Sequence, residues 1–310
     1  MELLRALGVL VEPPTNEHVR IAKVLGLPAP PEPSAYHDLF LLQTYPFASV
    51  YLGAEGMMGG EAGDRVAGFW RALHVTAPSE PDHLCSLLGL YVSLAEREAA
   101  EEDEASRALV ASARGALLHE HIASWVFPFL NKVRELGGAY YGAWSTMLEE
   151  AILAELRGGR GPRNLPVHLR EAPGLPDPRT EGGEAFLRGL LAPVRSGMIV
   201  TREDLARAAR RLGLGLRMGE RAYILKALFS QDAEKVLEWF VDTAQGWVGR
   251  HEQQGADLGE LAAFWEDRAR ATATLAMALL EDRSGWDSSP SDSPPPAEAS
   301  KSPGMGSVSA

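Results

Sequence analysis

The side chains best suited to chemistry in this chain fall in two clusters. Glu80-Pro81-Asp82-His83 places two carboxylates, a rigid ring and an imidazole within four residues. Such a set can act as acid, base or metal ligand, or it can grip a cationic group through charge-assisted hydrogen bonds. His119-Glu120-His121 repeats the mixture about one helical hairpin later. His119 and His121 are two apart and project from different sides of a helix, whereas helical metal pairs need spacings of three or four. A metal-dependent hydrolase would therefore have to draw on both clusters, using His83, His121, Asp82 and Glu120. The plainer alternatives are that Asp82 completes a helix cap and that His121, on an apolar line, is a satisfied core residue.

Other nucleophile and phosphate chemistries lack their parts. There is no Gly-x-Ser-x-Gly elbow. Cys85, the single cysteine, has no basic partner nearby in the sequence and reads as a packing residue. One thiol also excludes structural disulfides within the chain and multi-thiolate metal sites. The loop Gly53-Ala54-Glu55-Gly56-Met57-Met58-Gly59-Gly60 is glycine-rich, but it lacks the lysine and hydroxyl of a phosphate cradle, and no strand precedes it.

Helices must position whatever these residues do. A short helix and a proline-rich passage are expected over residues 1–33, and Ser34 is placed to cap the next helix. Tyr36 to Leu52 has helical spacing divided by Pro46, and Glu61 to Val75 carries Val66, Phe69, Trp70 and Leu73 on one stripe. Ser79 with Asp82 fits a capping box with Pro81 in the first turn, opening a helix whose buried line is Leu84, Leu87, Leu88, Tyr91 and Leu94. Ala105 to Phe127 aligns Leu117, His121 and Trp125, with Pro128 expected to kink or end it, and Tyr140 to Leu156 is a third long helix.

Prolines and glycines then dominate 158–183, which reads as a linker or surface loop. Helical patterns resume over 184–283: Thr201 to Asp204 forms a second capping box, Ser230 is placed to cap a helix with Val236, Phe240 and Trp247, and Leu258 to Leu280 is long and amphipathic. Residues 284–310 are rich in serine and proline and are expected to be disordered. The expected fold is all-α, with no convincing strand and no internal repeat; the long linker permits a domain-swapped dimer.

A formal charge of −12, from 42 acids and 30 bases, disfavours nucleic acid and favours cationic partners. Residues 201–229 have the outline of a helix-turn-helix regulator, with Arg207, Arg210, Arg211, Arg217 and Arg221 as a local basic cluster; the alternative is a helical hairpin whose arginines pair with acids. No export signal or membrane-spanning run is read, so the cytoplasm is the expected compartment.

Glu80-Pro81-Asp82-His83-Leu84 resembles the Glu-Pro-x-Asp-His signature of the TorD/DmsD family of redox-enzyme maturation chaperones, with one residue fewer before the aspartate. Glu-Pro-Asp-His-Leu also occurs in that family. Tyr45-Pro46-Phe47-Ala48-Ser49-Val50-Tyr51-Leu52-Gly53, Phe69-Trp70, and His121 with Trp125 are similar to it as well, so the resemblance spans roughly residues 35–157.

The resemblance implies a TorD-like helical bundle at 34–157, after an N-terminal extension at 1–33; the proline-rich linker, the added helices of 184–283 and the tail depart from the compact family domain. It also implies a cytoplasmic chaperone, not an enzyme, with no cofactor or metal of its own. Its partner would be a molybdoenzyme precursor, held often at the twin-arginine signal peptide until the molybdenum cofactor is inserted. Asp82 and His83 would lie at a hinge between helical halves. The client would meet Glu80, Pro81, Asp82, His83, Trp70, Leu87, His121 and Trp125. Residue chemistry agrees: two guanidinium groups and an apolar segment call for carboxylates, here Glu80 and Asp82, beside an apolar groove for which Trp70, Leu87, Trp125 and Phe129 are suited.

Overall fold

A computed structural model describes residues 1–158 and 164–282. The tail expected to be disordered, 284–310, lies outside the described residues. Regular structure among the described residues is helical, relieved by an isolated antiparallel bridge between Phe47 and His83. The fold is all-α, as the periodicities indicate.

The N-terminal 33 residues hold two helices where one was expected, α1 (Glu2–Val9) and α2 (Asn16–Val24). Leu4 and Leu7 of α1 are buried, and Trp144 donates its indole N–H to the Leu7 carbonyl at 2.9 Å, tying the first helix to the third long one. Next comes α3 (Pro33–Tyr36), which has proline rather than Ser34 at its start and runs into a π-helical stretch, His37–Gln43. Thr44 closes that stretch, donating both its backbone N–H and its hydroxyl to the Leu39 carbonyl. Residues Thr44 to Phe47 break the chain at Pro46 before α4 (Ala48–Leu52). α5 (Gly60–Ala72), α6 (Leu84–Ala100), α7 (Glu104–Ala116), a second π-helical stretch at Leu117–Ala123, α8 (Ser124–Leu136) and α9 (Gly138–Arg157) complete this part.

Aromatic packing makes its core. The Phe40 ring lies 5.0 Å from Tyr141 and 6.0 Å from Trp144, both edge-on. Tyr51 stacks on Trp125 at 5.1 Å, and both touch Phe129. Each such ring taken fully from water contributes roughly 1.5–3 kcal/mol.

Pro128 does not end its helix. It sits inside α8, which continues to Leu136, and its missing N–H leaves the Ser124 carbonyl free of its usual partner. The Trp265 indole N–H takes that place at 3.1 Å, so a residue from the far end of the chain repairs the break. The repair works through tertiary contact, which the local sequence does not contain.

Between Pro166 and Gly182, where a loop was expected, two single-turn helices form: α10 (Val167–Arg170) and α11 (Pro178–Glu181). His168 and Leu169 of α10 are buried. The remaining elements are α12 (Gly183–Leu190), α13 (Pro193–Ser196), α14 (Arg202–Leu212), α15 (Arg221–Gln231), α16 (Ala233–Leu258) and α17 (Glu260–Glu281). The last two form a long hairpin, and α13 packs against its second arm. The Thr201–Asp204 capping box opens α14, whereas α16 is capped by Asp232, which accepts from Lys235 N–H; Ser230 instead bonds within α15.

Four of the five arginines of the basic cluster are tied up in the fold. Arg207 pairs with Glu203 and Glu135, Arg210 with Glu203 and Arg211 with Asp242. Arg221 donates to the Val200 and Gly56 carbonyls. These are the pairings of a helical hairpin docked on its neighbours. No helix among the described residues is long and apolar enough to cross a membrane.

Candidate functional site

Two loops cross where the Glu80 cluster lies. Ala48 donates its N–H to the Asp82 carbonyl at 3.0 Å, and Leu84 donates to the Pro46 carbonyl at 2.8 Å, making the bridge between Phe47 and His83. The Asp82 carboxylate accepts the Ser49 N–H at 3.0 Å. It therefore serves the start of α4, in the neighbouring loop, and not a capping box with Ser79. Helix α6 begins later than that box requires, at Leu84, with His83 as its N-cap accepting from the Cys85 N–H at 3.2 Å. The reason is the bridge: main-chain groups that a helix from Pro81 would have used are engaged across the crossing. Trp70 reaches in from α5 and donates its indole N–H to the Pro81 carbonyl at 3.1 Å.

His83 is buried, edge-on to Phe47 at 4.9 Å, with Nδ1 also 3.2 Å from a Glu12 carboxylate oxygen. Burial lowers its pKa, while Glu12, Glu80 and Asp82 oppose that with smaller effects. Nδ1 accepts the Cys85 N–H. Glu12 is a member of the site that sequence reading missed, because it lies about seventy positions away in a segment that reads as an extension. Glu80 is exposed and Glu12 half-exposed; burial, with smaller contributions from Glu12 and Glu80, pushes the Tyr36 hydroxyl up to about 12. The two carboxylates form a negative edge beside a buried, hydrogen-bonded crossing.

His121 belongs to a different place. Its buried ring lies 4.8 Å from Phe69 and 5.5 Å from His168 of α10. Neither His121 Nδ1 nor His168 Nε2, both buried, has a hydrogen-bond partner. The segment carrying His168 is strapped down by the Glu120 carboxylate, which accepts the Val167 N–H at 2.8 Å, and by His119 Nε2 against the Asn164 carbonyl at 2.8 Å. His83, His121, Asp82 and Glu120 therefore do not converge, and no group of three or more His, Cys, Asp or Glu among the described residues is placed to hold a metal ion. Leu87, Trp125 and Phe129 are fully buried and Trp70 is 8% exposed, whereas Glu80 is exposed and Pro81 half-buried.

Burial holds His121 at about 3, and His168 and His251 at about 4. All three are depressed below the unfolded value near 6.5, so the unfolded chain binds more protons between these limits. Stability is full above about pH 6.5 and falls as pH drops toward 4, each histidine withdrawing about 1.4 kcal/mol per pH unit over that window. Thermal unfolding at pH 7 and pH 5 checks this: the melting temperature is expected to be clearly lower at pH 5, and equal values contradict it.

Residues 33–131 match the family model described as the nitrate reductase delta subunit, a family of molybdoenzyme maturation chaperones. Neither the comparison with curated proteins nor that with solved structures gave a significant match. The matched stretch contains the loop crossing, Trp70, Leu87, His121 and Trp125. It bears out the resemblance to the TorD/DmsD family, and α9 to α17 lie beyond it.

Proposed function

We propose that this chain is a cytoplasmic chaperone that holds a molybdoenzyme precursor, at its twin-arginine signal peptide and on the unloaded enzyme, until the cofactor is inserted. The observation that carries this is the family match over the segment containing the Glu80 to Leu84 crossing. The chemistry of the crossing supports it. Asp82 and His83 each accept a backbone N–H, an arrangement that fixes loop geometry and engages both side chains in structure. Glu12 and Glu80 at its edge, on a chain of net charge −12, suit the two guanidinium groups of a twin-arginine pair.

The apolar members Trp70, Leu87, Trp125 and His121 are closed over in the state described. Their contact with a client requires the segments packed on them to part; His121 is covered by Phe69 of α5 and by the strap from Asn164 to Glu171. Asp82 and His83 then act by holding the two loops in register, so that the negative edge and the covered core stay adjacent.

Co-expression with a molybdoenzyme precursor from the same organism tests the proposal through the client's molybdenum content. The wild-type chain is expected to raise that content severalfold. Asp82→Ala leaves the Ser49 N–H unpartnered, at a cost of about 1–2 kcal/mol, and His83→Ala removes the α6 cap; both are expected to reduce maturation while circular dichroism stays helical. Normal maturation by both variants would remove these residues from the mechanism. No effect of the wild-type chain on the molybdenum content would remove the proposed function.

A further inference from the structure

The glycine-rich loop between Leu52 and Glu61 has no phosphate chemistry, yet it is held with care. Arg195 donates to the Ala54 carbonyl at 2.8 Å and Arg221 to the Gly56 carbonyl. Gly56 has φ +62°, and a Cβ there would stand 2.8 Å from the Leu191 carbonyl oxygen and 2.9 Å from the Ala192 Cα, so glycine is required for the loop to lie against the C-terminal helices. Pinned this way, the loop presents Met57 and Met58 to solvent, 66% and 57% exposed. Two adjacent exposed thioether side chains are an adaptable apolar surface of the kind used to hold variable apolar segments.

These methionines form one side of a cleft of about 340 Å³. Its other walls are the start of α5 and the strap from His168 to Pro173. Three carboxylates line it, Glu55, Glu61 and Glu171, against the single guanidinium of Arg65, which pairs with Glu61 and Glu171 and leaves Glu55 open. His168, held neutral by burial and only 7% exposed, contributes its ring to the wall and has an unpartnered Nε2. The cleft is thus apolar with a negative rim, which rejects acidic segments and suits an apolar stretch bordered by cations. Helix α5 joins it to the loop crossing: Glu61 and Trp70 are separated by about 13 Å of helix, the reach of a few turns of bound peptide.

We infer that this cleft is the docking site for the apolar stretch that follows the arginine pair of the client's signal peptide. The inference rests on the chaperone function proposed above and adds the place where the greasy half of the peptide lies. The Met57 and Met58 side chains cover the apolar residues, Glu55 takes a flanking cation, and the arginine pair stays at the Glu12 and Glu80 edge. The closed core around Trp125 then need not open for the first encounter.

Fluorescence polarisation with two labelled synthetic peptides tests it. One carries two adjacent arginines followed by a leucine- and alanine-rich stretch; the other keeps the arginines and replaces that stretch by serines. The proteins are the full chain and its Met57→Ser, Met58→Ser double variant, whose exposed positions leave the fold intact, as circular dichroism and melting temperature will report. The wild-type chain is expected to bind the apolar peptide about tenfold or more tightly than the serine peptide. The double variant should lose most of that advantage while its binding of the serine peptide stays unchanged. If the double variant binds the apolar peptide as the wild type does, the cleft is not the docking site, and the signal-peptide function stands without it. If the wild type binds neither peptide, this inference and signal-peptide recognition both fall.

Discussion

Truncating Trp125 to alanine is expected to destabilise the protein by about 3–5 kcal/mol, the range for removing a large aromatic side chain from a packed core. Trp125 is fully buried, stacks on Tyr51 at 5.1 Å and lies 5.5 Å from Phe129. Its indole N–H also satisfies the His121 carbonyl at 2.8 Å, inside the π-helical stretch. Loss of the ring leaves a cavity between α4 and α8 as well as a carbonyl stripped of one donor. Thermal unfolding should show a fall of roughly 10 °C. Trp125→Phe keeps most of the volume and is expected to lose much less. If alanine cost no more than phenylalanine, the ring would not be the core contact described.

Gly197→Ala is expected to be comparably damaging for a different reason. Gly197 caps α13 with φ +72°, a left-handed conformation that costs a residue with a side chain about 1–2 kcal/mol. A Cβ there would stand 2.2 Å from the backbone nitrogen of Ala269, and backbone cannot step aside as a flexible side chain can. The turn is fixed on both sides, since His251 Nε2 contacts the Gly197 carbonyl at 3.0 Å and the Thr272 hydroxyl donates to the Ser196 carbonyl at 2.9 Å. Overpacking of this kind adds about 1–3 kcal/mol, so a total of about 2–5 kcal/mol is expected. Chemical denaturation of the full chain measures it. A change below about 0.5 kcal/mol would mean that α13 is not seated on α17 as described.

Features that depend on local pattern were legible in the sequence. The stripe of Tyr141, Trp144, Leu148 and Ile152 does define a long buried helix, and Thr201 with Asp204 does form a capping box, because period and cap spacing are properties of a few consecutive residues. Asp82 shows where that stops. Its spacing from Ser79 fits a cap, but its carboxylate reaches Ser49, a partner 33 positions away, because the Phe47 and His83 bridge outcompetes an earlier helix start. Pro128 inside α8 was unreadable for the same cause: the break is repaired by a donor, Trp265, supplied from elsewhere in the fold. Glu12 joins the crossing for no reason visible in its neighbours. The motif that carries the family resemblance lies at the loop crossing, while the partners of its residues come from the rest of the fold.

The most direct test of chaperone function is a binding titration of the full chain with the apo-precursor of a molybdoenzyme from the same organism, read by calorimetry and repeated with the cofactor-loaded enzyme. Micromolar or tighter binding to the apo-precursor is expected, about −8 kcal/mol or better. Binding at least tenfold weaker is expected once the cofactor is in place. Absence of binding to both the apo-precursor and its signal peptide, or equal affinity for loaded and unloaded enzyme, would contradict chaperone function.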